Sequence, residues 1–153
     1  MTFEPETFCT RLVAAMADGV ILADPAGVIR FWNQGAERIF GYAAAEALGR
    51  GLDLIIPEGL RARHDAGFRH TMATGESRYG AGEVLAVPAV GKDGRRLSIE
   101  FTIVLFHDPT GQVQAIAAVL RDVTARFEET RALRRALAAA QQAPPARPAA
   151  GTL

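Results

Sequence analysis

Apolar residues along this chain hold one spacing for a stretch and then switch to another, and each switch marks a change of element. Phe8, Leu12 and Met16 stand four apart with Val13 alongside, which predicts a short amphipathic helix over residues 3–17. That helix is suited to pack on its own domain or on a second copy. Residues 19–24, the turn Asp24-Pro25-Ala26-Gly27 and residues 28–33 read as strand, tight turn, strand, with a φ-fixing proline and a permissive glycine where a hairpin needs them. Asn33 is placed to cap the short helix QGAERIF, and Gly41 to end it. A second short helix over residues 43–48 stops at Gly49, and Asp53, Leu54 and Ile55 form a turn before Pro57. Residues 58–74 then make the longest helix of the middle section, with Gly75 at its left-handed end position.

After that helix, strands dominate. Residues 83–90, the turn Gly91-Lys92-Asp93-Gly94 and residues 95–106 form a second hairpin. Leu97, Ile99, Phe101, Ile103 and Leu105 alternate with Ser98, Glu100 and Thr102, so one face of the strand is buried. Residues 107–111 (HDPTG) turn the chain into a strand over residues 112–123, whose small residues at AIAAVL let another group approach the sheet. Thr124 is placed to cap a final helix over residues 125–142, and the proline- and alanine-rich residues 143–153 have no pattern for folding. Short turns impose antiparallel pairing, so the class is α+β: a five-stranded antiparallel sheet with its helices on one face, enclosing a cavity suited to a ligand. The organisation follows as an N-terminal helix (1–17), a globular domain (18–124), a C-terminal helix (125–142) and a tail (143–153).

Composition narrows the function. The chain has 153 residues, about half apolar (49%), enough for one core. Lysine plus arginine equals aspartate plus glutamate at 17 each, so no overall field draws it to nucleic acid or an anionic membrane. The single cysteine, Cys9, forms no internal disulfide, and no Cys/His spacing suits structural zinc. The acidic opening MTFEPETF is unlike a secretion signal and no apolar run is long enough to span a bilayer, which together point to the cytoplasm. No nucleophile, base and orienter come together in the sequence, nor is there a phosphate-binding glycine loop, so catalysis is not expected.

The residue of most interest is His64. On a helix, Leu60, His64, Phe68 and Met72 fall at four-residue steps along one stripe, whereas Arg61, Asp65, Arg69 and His70 lie largely off it. An imidazole in an apolar row needs a polar partner to offset its desolvation. That partner is either a backbone carbonyl or neighbour such as Glu100, or a metal, and the residues alone leave both open.

At this point the chain resembles a PAS domain, over roughly residues 16–124. The resemblance rests on DGVILADPAGVIRFWNQGAERIFGYAAAEALGR, with Asn33, Gly41-Tyr42, Glu46 and Gly49 in order, then Pro57, the Lys92-Asp93-Gly94 turn and the closing RDVT, Arg121 to Thr124. It implies spatial strand order 2-1-5-4-3, helices crossing one face, and a sensing or dimerising role. The segment PEGLRARHDAGFRHTMATGESRYG is most similar to the haem-binding PAS domains of rhizobial oxygen-sensing histidine kinases, through His64-Asp65 and Thr74-Gly75-Glu76. The resemblance makes His64 the candidate axial ligand of haem b, with its other nitrogen left for a supporting partner. One departure bears on oxygen as the preferred gas: the arginine that lines the ligand side in those sensors falls near Val84 or Leu85 here.

In that reading Phe68 and the apolar residues Leu85, Val87, Phe101, Ile103, Ile116, Ala118 and Leu120 face the porphyrin, or else pack as plain core. Arg63, Arg69 and Arg78 either pair with the propionates or are simply solvated. Met72 is either an alternate soft ligand or filler. Glu100 reads as outward and solvated, His107 as an exposed turn residue, and Trp32 as a packing anchor. In the last helix Val123, Thr130, Leu133, Leu137 and Ala140 stand near heptad a and d positions, which suits a homodimer formed through the terminal helices. No output motif is apparent, so the expected function is a sensor of a diatomic gas or redox change acting on a separate signalling protein. The alternatives are a cofactor-free interaction module, or a cavity holding flavin or a small metabolite; the cysteine-bearing flavin photosensor motif is absent.

Overall fold

The alternating segments pair into one sheet. In the computed structural model, which describes residues 4–77 and 84–142, the strands are β1 (Gly19–Ala23), β2 (Ile29–Trp32), β3 (Leu85–Val90), β4 (Arg96–His107) and β5 (Val113–Asp122). All neighbours are antiparallel in the order β2-β1-β5-β4-β3, as the resemblance implied. Residues opposite one another share a face. Ile21, Ala118 and Ile103 therefore form one inward row, and Phe101 and Leu120 another.

Helix α2 (Gln34–Phe40) and α3 (Ala44–Ala47) cover that inward face, where Ala36, Phe40 and Ala47 join Ile21, Ile29, Ile99 and Leu120 in the buried core. Two short 3-10 turns, Leu52–Leu54 and Glu58–Leu60, lead to α4 (Arg61–Thr74). The Trp32 indole N–H donates to the Tyr42 carbonyl while its ring packs on Phe40, so it anchors the core as expected. Lys92, in the second hairpin's turn, reaches Glu46 of α3, and Glu46 also accepts from the Ala43 N–H. Gly35 has a stricter role than its helix position suggests. A Cβ there would lie 2.1 Å from the Asp18 carbonyl oxygen, so α2 can seat on the start of β1 only without a side chain at this point.

Several elements differ from expectation. The N-terminal helix α1 (Pro5–Ala15) is shorter at both ends; Phe8 and Leu12 are exposed, while Val13 is half-buried and its carbonyl accepts from the Asn33 side chain. His107 is the exposed last residue of β4, and Thr124 begins α5 (Thr124–Gln142) instead of preceding it. Contacts divide the chain into two compact units, Met1–Val123 and Thr124–Leu153. Within α5 the apolar residues Phe127, Leu133 and Leu137 are exposed.

Asp18 and Arg121 tie the start of β1 to the end of β5. Both Arg121 Nε and Nη2 donate to the carboxylate, at 3.0 and 2.7 Å. These bonds hold the Asp18 carboxyl below its ordinary 3.8; partial burial opposes them and the guanidinium charge assists. A carboxyl with a depressed folded pKa contributes stability above its unfolded value, lost as pH falls through the folded one. Asp18→Asn is therefore expected to lower stability by about 0.5–1 kcal/mol at neutral pH, with the difference from wild type fading as pH drops below about 4. Urea titrations along a pH series check this.

Candidate functional site

The candidate site is built on α4. Pro57 and the following 3-10 turn set its direction, and the Arg61 Nε donates back to the Ile56 carbonyl at 3.1 Å. Gly75, at φ +70°, ends it by donating to the Thr71 carbonyl. Between these limits the stripe takes the inward side: Leu60, His64, Phe68 and Met72 are half-buried, whereas Arg63, Asp65, Arg69 and His70 are exposed. The middle of the helix lies over the first hairpin's turn, where a Cβ on Gly27 would stand 3.7 Å from the Phe68 ring. Its end lies by the β4–β5 connection, with His107 and Val113 each 3.7 Å from where a Gly75 Cβ would be.

His64 sits where the imidazole is neither plain core nor plain surface. Its side chain is 32% exposed and its ring stacks on Phe68 at 24°, with centroids 6.1 Å apart. Nδ1 is buried and has no hydrogen-bond partner among the described residues. The nearest carboxylate oxygen, on Asp65, is 3.6 Å away, beyond hydrogen-bond range. Neither Glu100 nor a backbone carbonyl supplies the partner that a core histidine would take. Glu100 instead stands opposite Arg121 on the other face of the sheet. A buried nitrogen left unpaired costs about 1–3 kcal/mol, and such a cost is tolerated most readily where a site needs that group.

Across from α4, the inward rows of β3, β4 and β5 supply Leu85 and Leu120, both buried, and Phe101, Ile103, Ile116 and Ala118, half-buried. Val87 departs from the expected wall: it shares a face with Leu85 and Ala89 but is 37% exposed, because β3 is the edge strand. Arg63 and Arg69 lie on the solvent side of α4, and Arg78 lies outside the described residues. Met72 is eight residues from His64 along the same stripe, about 12 Å in an α-helix, so it cannot stand opposite the imidazole on one metal ion. Thr71, the most buried residue of α4, was missed by the apolar pattern; its position three past Phe68 on the stripe's edge is the signal that finds it. Among the described residues no group of three or more His, Cys, Asp or Glu side chains could hold a metal ion by itself. Among the described residues, no helix is long and apolar enough to cross a membrane.

Comparison with known proteins adds three findings. A family model described as the PAS fold matches residues 13–128. Among curated proteins, the sensor protein FixL of Bradyrhizobium diazoefficiens is 28% identical over 99 residues, 64% of this chain and 19% of that protein. The oxygen sensor protein DosP of Escherichia coli is 30% identical over 118 residues, 75% of this chain and 14% of that protein. The chain thus spans less than a fifth of the length of either relative. Among solved structures, one titled for a flavin analogue and the mechanism of the light-oxygen-voltage domain superposes with a TM-score of 0.61 at 20% identity, covering 84% of this chain and 93% of that one.

Proposed function

The chain belongs to the PAS fold family, and from that premise we propose that it is a sensory domain that binds haem b through His64 and reports a diatomic gas or a redox change to a separate partner. One observation carries the reading: a half-buried imidazole, on the inward stripe of α4, whose buried Nδ1 has no partner among the described residues. A neutral imidazole that keeps its proton on Nδ1 presents the Nε2 lone pair as a metal ligand. The relatives FixL and DosP, the second of them an oxygen sensor by name, support the same reading.

The residues present fit the group. Phe68 fixes the plane of the imidazole by stacking, and Asp65 stands close enough to become its proton acceptor after a small side-chain movement. Leu85, Phe101, Ile103, Ile116, Ala118 and Leu120 supply the apolar wall that a macrocycle requires, with Val87 at its open edge. Arg63 and Arg69, exposed on α4, are cations available to propionates, and the resemblance adds Arg78 as a candidate. Haem b, when bound, supplies an iron centre whose ligand and oxidation state can change. The chain's own part is to translate such a change into a different packing of the sheet, because only unequal binding to two arrangements shifts an equilibrium between them. The shift reaches β5, which runs through Arg121, Asp122 and Val123 directly into α5.

The absorption spectrum of the purified protein after haem reconstitution tests the proposal. An intense Soret band is expected. Flavin absorption on the isolated protein would favour the flavin reading, and a protein that refuses both would be a cofactor-free interaction module. We place the domain in the cytoplasm and pair it as a homodimer, with the apolar residues of α5 covered by the terminal helices of a second copy. Leu133→Glu combined with Leu137→Glu is then expected to weaken self-association by at least about tenfold, since each leucine would bury its side chain at the interface. Sedimentation equilibrium reads this directly.

A further inference from the structure

Helices α2 and α4 cover the same face of the sheet but are held there very differently. In α2, seven residues long, Gly35, Ala36 and Phe40 are buried and the Asn33 side chain caps the first turn. In α4, fourteen residues long, Thr71 is the buried residue, and the stripe of Leu60, His64, Phe68 and Met72 is half-buried. The N-cap of α4 is Leu60, whose side chain has no acceptor. Arg61 and Arg63 put positive charge in a first turn whose dipole disfavours it, although the preceding 3-10 turn takes up the Arg61 N–H. Gly67 stands at the centre of the helix on its exposed side. Outside its own helical backbone, nothing among the described residues lies within 4 Å of a Cβ built there, and its φ is not positive. Neither close approach nor left-handed backbone therefore calls for a glycine, which leaves the helical state about fivefold less favourable than alanine would. The buried Nδ1 of His64 works in the same direction, since it regains water when α4 lifts away.

From this we infer that α4 is a lid: it unwinds and lifts from the sheet while the rest of the domain stays folded, and that opening is the way into the site for its guest. Gly67 sets how often the lid opens. The bonds that seat α2 and α3, from Asn33 to Ala36, Trp32 to Tyr42 and Lys92 to Glu46, involve no residue of α4, so the lid can open without breaking them. Such an element opens at a free energy well below that of global unfolding.

Amide hydrogen exchange of the haem-free full chain, followed by NMR, tests this. Amides of residues 65–74 are expected to be about a hundredfold or more less protected than those at the centres of β4 and β5. Gly67→Ala should slow exchange in α4 about fivefold, and Ala66→Gly, the neighbouring exposed position, should speed it about as much. Asp18→Asn, which weakens the domain away from α4, should speed exchange at the centres of β4 and β5 by about two- to fivefold while leaving α4 as in wild type. Equal protection of α4 and the sheet, an α4 that follows the sheet in Asp18→Asn, or an α4 indifferent to both helix substitutions overturns the inference. Haem is the probe for the entrance, which to that extent rests on the reading proposed above. In Gly67→Ala its association and dissociation should both slow about fivefold with the affinity unchanged, because the substitution alters only how often the lid is open. Unchanged haem rates alongside slowed exchange in α4 would put the entrance elsewhere and overturn the inference as well. A protein that takes up no haem would sink the haem reading alone, with exchange in the haem-free chain still deciding whether α4 is a lid.

Discussion

Replacing Asn33 with alanine is expected to lower the free energy of unfolding by about 3–4 kcal/mol, close to the limit for a single side chain. The residue is 3% exposed and uses both ends of its amide. Oδ1 accepts from the Ala36 N–H at 2.9 Å, which caps α2, and from the Val20 N–H at 2.7 Å. Nδ2 donates to the carbonyls of Val13 and Asp18, at 2.8 and 3.0 Å. A single side chain thus joins the end of α1, the start of β1 and the first turn of α2. Alanine would leave all four backbone groups without it, in a place where water enters only by opening the packing. Asn33→Asp keeps the two accepted bonds but turns an oxygen toward the two carbonyls, so it should fall between wild type and alanine. Urea denaturation with unchanged m-values measures both differences.

The second large effect concerns His64, and it has opposite signs for binding and for stability. His64→Ala is expected to lower haem affinity by about a hundredfold or more, since loss of even a supporting partner of a metal ligand typically costs 10–100-fold. His64→Leu should abolish the same binding yet stabilise the haem-free protein by about 1 kcal/mol, because it removes the buried nitrogen that finds no partner among the described residues. If the histidine were an ordinary core residue, leucine would bring no gain and haem would be indifferent to either change. Titration of haem into the two variants, with thermal unfolding of the haem-free proteins, separates these cases.

Much of this was legible in the chain because the signals are local. The Asn33 cap and the Gly41 and Gly75 terminators appear where side-chain oxygen acceptors and left-handed backbone were needed. The alternation over residues 97–105 gave the inward face of β4, and the four-residue stripe gave the inward side of α4. What escaped depends on tertiary approach. Nothing in the local pattern shows that Asn33 has three partners besides its own helix, or that the Asp18 carbonyl occupies the space a Gly35 side chain would take. Val87 fits the alternation but is exposed, since an edge position is a property of the sheet and not of the strand. His64 was legible as inward-pointing; that its Nδ1 lacks a partner became visible only once Glu100 proved to be on the opposite face.

The most direct measurement is an anomalous-difference map at the iron edge from crystals of the reconstituted protein. A single iron peak bonded to an imidazole nitrogen of His64, between α4 and the inward rows of β4 and β5, is the predicted result. A peak at another residue, or haem lying outside an interior filled by Phe68, Phe101 and Ile103, would contradict it.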